Sequence, residues 1–160
     1  MVENYYVRNG AIAGLIAGIL TAIMVYLDLP TVEEVLEEAS KISFIEQPLV
    51  VNKKLLDLVL KLSGIIACIF FVLLGIVFGG IHEYLDRKIG TRTAVLPALI
   101  AGLLLVALLT VPNILLGGSP QKTINNLVAG ATYTIALTVL AEIKNPRTFR
   151  EDILKSSEIY

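Results

Sequence analysis

His82-Glu83-Tyr84-Leu85-Asp86 is the stretch of this 160-residue sequence whose residue types and spacing come closest to metal chemistry. On a helix, His82 and Asp86 stand at i and i+4 and face the same way, with Glu83 beside them. The pattern follows the two-ligand, one-base logic of the HExxH zinc helix, with aspartate in place of the second histidine. His82 is the chain's single histidine, so a third ligand has to be a distant carboxylate or come from another subunit. The competing reading is structural: a polar helix end emerging at the membrane surface, with Glu83 paired to Arg87 at i+4. That reading needs no further ligand, so no catalytic, metal-binding or cofactor-binding residue is assigned, and no cofactor is expected. A membrane enzyme centred on His82 would carry stoichiometric zinc that His82→Ala removes.

Other chemistry finds less support. No serine or cysteine has a histidine partner that spacing can defend, and no phosphate-binding glycine loop is present. The one cysteine, Cys68, cannot form an internal disulfide. Four carboxylates at Glu33, Glu34, Glu37 and Glu38 suggest a cation site, but as one face of a short helix they read as a solvated surface. With a net charge of −1 and no basic stretch to neutralise a row of phosphates, nucleic acid is excluded as a partner.

The elements that must position these residues are set by where charge is missing. Apolar residues make up 56% of the chain and charged residues 17%, against about 45–50% and 25% in soluble domains. Arg8 to Asp28 encloses 19 uncharged residues, Lys61 to His82 encloses 20, Arg92 to Lys122 encloses 29 and Lys122 to Glu142 encloses 19. About 20 apolar residues in a helix cross a hydrocarbon core of about 30 Å. The expected fold is therefore all-α: one integral membrane four-helix bundle with spans near 10–27, 62–81, 94–116 and 124–141. An extramembrane helical segment at 31–61 and a tail at 143–160 complete the single domain.

Local signals refine this outline. Tyr5, Tyr6 and Tyr26 suit the lipid–water interface at the two ends of the first span. The basic region before it is thin and no small-residue cleavage site follows, so it is expected to be a retained helix rather than a signal peptide. Pro30 ends it. Thr31-Val32-Glu33-Glu34 reads as a capping box that opens an amphipathic helix over 31–42, with Val32, Val35, Leu36 and Ala39 on one face. The next helix is expected from Pro48 to a cap at Gly90. That length exceeds the bilayer, so the part carrying Lys53, Lys54, Asp57 and Lys61 should project and pack on the amphipathic helix or on a partner. Pro112 should kink or end the third span and leave Asn113 to satisfy a freed carbonyl. Gly117-Gly118-Ser119-Pro120 is a tight loop, and Phe149 and Ile153 share a face in a short tail helix.

None of the four spans contains an ionisable residue, which disfavours a charge-coupled transporter acting alone. Thr21, Ser63, Thr110, Asn113, Asn125, Asn126, Thr132, Tyr133, Thr134 and Thr138 are expected to bond between helices or back to their own helix. Gly10, Gly14 and Gly18, with Ala13, Ala17, Thr21 and Ala22 alongside, make a flat helix face for close backbone approach. Gly75 and Gly79 repeat the device in the second span, Ala98 and Gly102 in the third, and Gly130 with Thr134 and Thr138 in the fourth. Lysines and arginines divide eight to five in favour of the face holding both termini and the 82–93 loop, so both termini are expected in the cytoplasm, in the cell membrane.

The run Leu74-Gly75-Ile76-Val77-Phe78-Gly79-Gly80, a short basic loop, a third span and Val111-Pro112-Asn113 resembles archaeal members of the CbtA-like family of cobalt-transporter membrane subunits. A first helix rich in glycine and alanine, followed by a proline and an acidic helix, is also similar. That family has a proline-rich stretch with lysine and tyrosine after its third span, where this chain reads Ile114-Leu115-Leu116-Gly117-Gly118. The resemblance implies a membrane subunit of a divalent-metal transporter, with no metal-binding residue carried over. From the residues themselves, the expected role is a small non-catalytic, accessory or structural subunit of a larger membrane complex. Its partners would be the lipid bilayer and other membrane subunits, or further copies of itself, met through the small-residue faces.

Overall fold

The structure, a computed structural model, describes residues 4–40, 52–89 and 94–143, with side chains at 38–40 left aside. Five helices follow in order: α1 Asn4–Leu27, α2 Val32–Ser40, α3 Lys53–Ile89, α4 Val95–Leu115 and α5 Pro120–Ile143. All but α2 are long and apolar enough to cross a membrane, which makes this an integral membrane four-helix bundle. Each spanning helix packs on its neighbours in sequence, and α1 closes the ring on α5.

Small residues decide how closely these helices meet. Lipid tails are as apolar as leucine, so association rests on dispersion contact and hydrogen bonds rather than on burial from water. A Cβ at Gly10 would strike the Gly75 carbonyl and the Gly79 backbone, one at Gly14 the Phe71 carbonyl, and one at Gly18 the Cys68 backbone. The α1 glycine face is therefore occupied by α3. Gly102 lies under the Thr134 side chain and Gly130 under Val106, which seats α4 on α5. Ala13, Ala17, Ala98, Ala101, Leu105, Tyr133 and Leu137 fill the space between.

The helix ends depart from the sequence reading in informative ways. α1 begins at Asn4 rather than near Gly10, because Tyr6 and Asn9 are drawn into the bundle. The first described turn of α3 starts at Lys53: Asn52 Oδ1 accepts from the Lys54 and Leu55 amides at 3.1 and 3.4 Å, an N-cap. The expected start at Pro48 and the cap at Gly90 lie outside the described residues, as does the tail pair Phe149 and Ile153. α5 begins at Pro120, ahead of the expected 124, with proline in the first helical position and Ser119 Oγ accepting from the Lys122 amide at 3.3 Å. Pro112 neither ends nor breaks α4, which runs one turn further to Leu115. There Gly117, at φ 67°, and Gly118, whose amide reaches the Asn113 carbonyl at 2.7 Å, turn the chain.

The capping box is present: the Thr31 amide donates to Glu34 Oε2 at 2.8 Å and the Glu34 amide to Thr31 Oγ1 at 3.3 Å. Val32, Val35 and Leu36 of α2 are half-buried while Glu33, Glu34 and Glu37 are exposed. At 37 residues α3 measures about 55 Å, against about 36 Å for α1. Tyr26 Oη donates to the Lys61 carbonyl at 2.9 Å and fixes where α1 ends alongside α3. Residues 53–60, about 12 Å of helix, continue past that level.

Candidate functional site: a buried polar knot at the end of the bundle

The face of α3 that meets α1 does not stop where charge begins. Phe71, Gly75, Phe78, Gly79, His82 and Asp86 share one face through three- and four-residue spacings, and all are buried. His82, Glu83 and Asp86 therefore point into the bundle instead of emerging at its surface, which corrects the expectation of a solvated helix end. The pairing expected of Glu83 is present: Arg87 Nη2 lies 2.6 Å from its Oε1, with the arginine half-exposed and the carboxylate nearly enclosed.

Four elements converge here. From α1, Tyr6 Oη donates to Asp86 Oδ2 at 2.6 Å, a short bond of the charge-assisted kind. The Tyr6 ring stands edge-on to the His82 imidazole, centroids 5.1 Å apart. His82 Nε2 lies 3.2 Å from the carbonyl of Ala94, just before α4. A carbonyl only accepts, so Nε2 carries the proton and neutral Nδ1 is left as a lone-pair site. From α1 again, Tyr5 Oη donates to the Leu140 and Ala141 carbonyls of α5, both at 3.3 Å, and Asn9 Nδ2 donates to Leu140 at 3.4 Å. Tyr6 is thus a structural strut inside the protein and not an interfacial anchor. His82 and Asn9 are fully buried. Among the described residues, His82 Nδ1 and Asn9 Oδ1 have no hydrogen-bond partner.

This arrangement can hold helix ends together, and its two surplus acceptors suit a hydrogen-bond donor or a proton. Among the described residues no group of three or more histidine, cysteine, aspartate or glutamate side chains is placed to hold a metal ion. Sequence reasoning picks out His82, Glu83 and Asp86, places Tyr6 at the lipid–water interface and does not single out Asn9. The signal that finds them is periodicity: Tyr6, Asn9, Gly10, Ala13, Gly14 and Ala17 continue one helical face, as His82 and Asp86 continue the other.

Most of the remaining hydroxyls in the bundle bond within their own helix, while Tyr133, Asn126 and Asn113 bond between helices. Thr21, Ser63, Thr110, Thr134 and Thr138 donate to carbonyls three or four residues back, at 2.6–2.8 Å. Tyr133 reaches the Gly75 carbonyl at 3.4 Å, and Asn126 the Leu109 carbonyl at 2.8 Å. Asn113 Nδ2 donates to Thr123 Oγ1 at 2.6 Å and so pins α4 to α5 across the turn, rather than serving a carbonyl freed by Pro112. The helix-packing glycines are divided between two seams, with Gly10, Gly14, Gly18, Gly75 and Gly79 in α1–α3, and Gly102 and Gly130 in α4–α5.

Comparison with known protein families, with curated proteins and with solved structures returned no match. Fold and site together define a class: a small, all-helical, four-span membrane protein tied off at one end by a polar knot.

Proposed function

We propose that this chain is a non-catalytic, accessory or structural subunit of a larger membrane complex, held in the cell membrane with both termini in the cytoplasm. The observation that carries this reading is how the buried polar groups are used. Tyr6, Asn9, His82, Asp86 and Tyr133, with half-buried Asn126, join one helix to another or to the residue before it, which is what a rigid building block requires. On this reading the outer helix α2 presents Glu33, Glu34 and Glu37 to neighbouring subunits. Gentle extraction of a tagged chain from its native membrane, with mass spectrometry of every co-eluting protein, tests the role. Stoichiometric respiratory, transport or translocation subunits support it, and elution without any other protein overturns it.

A second reading draws on the buried imidazole and carboxylate of His82 and Asp86 and on the resemblance to CbtA-like proteins. It makes the chain a membrane subunit of a transporter for a divalent metal ion such as cobalt. It requires cobalt accumulation in vesicles containing this chain and its partner, lost on Asp86→Asn.

A further inference from the structure

The face of α3 turned away from its own bundle carries a second apolar stripe. Leu55, Val59, Leu62, Ile66, Ile69, Leu73 and Ile76 are each 38–60% exposed and alternate in steps of four and three, the spacing of a coiled-coil seam. Within the bilayer lipid covers such a surface. The stripe, however, begins on residues 53–60, beyond the level at which Tyr26 marks the end of α1. There the polarity is the reverse of what a lone chain needs. Helical geometry at 3.6 residues per turn sets Asp57 and Lys61, ion-paired at 2.7 Å, on the same side as Gly64, Phe71 and Gly75, above the bundle, while Leu55 and Val59 point outward. Among the described residues, none covers them: Leu55 is 60% exposed and Val59 48%.

We propose that a second copy of this chain covers them, giving a parallel two-fold dimer about α3. Copies in one membrane share an orientation, so like faces meet in parallel, and a two-fold axis sets each residue near its own counterpart. Such a seam must be free of charge, and this one is: Lys53, Lys54, Asp57 and Lys61 all fall off it. In the first half of the stripe, branched Val59 and Ile66 alternate with Leu55 and Leu62, the combination that favours two parallel strands. Gly80 is the next position in the series. A Cβ there would meet nothing within 4 Å, whereas Gly64, Gly75 and Gly79 on the same helix all face their own chain. A glycine inside a helix destabilises it relative to alanine, and the space above Gly80 fits the backbone of a neighbour drawn close. The seven side chains together offer roughly 600 Å² per copy, so the pair reaches the lower end of specific interfaces at about 1,200 Å².

The pairing stands on α3 alone and does not depend on the accessory role. The test uses the full chain in lipid nanodiscs and in native membrane, with Cys68 replaced by serine and single cysteines introduced along α3. Disulfide-linked homodimers should form with Leu55→Cys, Leu62→Cys and Ile69→Cys, and not with Lys61→Cys. Mass photometry should show a dimer that Gly80→Leu and the pair Leu55→Glu and Val59→Glu each weaken about tenfold or more, with monomer unfolding unchanged. A monomer at all concentrations, crosslinking without this periodicity, or capture of a different protein or of lipid by the Leu55 and Leu62 probes would overturn the proposal.

Discussion

The two ends of α3 are built on opposite principles. At the Asp86 end the helix is held by Tyr6, by the carbonyl of Ala94 and by the glycine seam of α1, and its carboxylates Glu83 and Asp86 are enclosed. At the Lys53 end it outruns α1 and leaves Leu55 and Leu58 exposed. One helix thus serves as the fixed post of the bundle and as a free-standing projection. Polar residues inside a bundle specify partners through directional bonds, whereas an apolar stripe specifies a partner through spacing alone.

Breaking the fixed end should have the largest effects. Gly75→Leu drives a side chain into the Gly10 carbonyl. It should cost about 3 kcal/mol or more, read as a collapse of the detergent-solubilised chain in thermal unfolding, and Gly14→Leu should behave likewise. Gly80→Leu, one turn away, should leave that unfolding curve in place. Tyr6→Phe removes the donor to Asp86 while keeping the ring on His82 and should destabilise by about 2 kcal/mol. Its effect is measured as a shifted midpoint in denaturant titration. Arg87→Gln leaves the Glu83 carboxylate with less compensation, but the arginine is half in solvent. About 1 kcal/mol is expected, shrinking as salt rises. At the projecting end, Thr31→Val should loosen α2 by about 1 kcal/mol, seen as faster amide exchange over residues 32–36 with the bundle midpoint unmoved. Thr138→Val, whose hydroxyl returns to its own helix, should change stability least of all.

Much of this was legible in the residues. Four uncharged windows gave the four spans, because no other segment of the chain can satisfy lipid, and Thr31 with Glu34 announced α2 through a bond pattern fixed by local geometry. The glycine triplet of α1 signalled close approach but could not say which helix approaches. The polar knot was hidden for a physical reason. Reading a span as an absence of charge cuts α3 at His82 and α1 near Gly10, while the packing face runs through both boundaries. Burial there follows the three-and-four spacing, and ionisable groups can follow it inward once Tyr6 and Arg87 are available to meet them. Ser119 and Pro120 were likewise read as turn residues, although together they form a helix start.

Tyr5 and Asn9 reach their acceptors across 131 to 136 residues of chain. At synthesis rates of about 5–20 residues per second, these side chains wait roughly 7–27 s for the carbonyls of Leu140 and Ala141. Until α5 arrives, α1 holds the Asn9 amide and the Tyr5 phenol without the carbonyls they meet in the bundle, where Asn9 is fully buried. A chain stopped short of α5 therefore carries a visible polar mark on its opening helix. Docking of α5 erases that mark, so the bonds from α1 to α5 report that the bundle has closed.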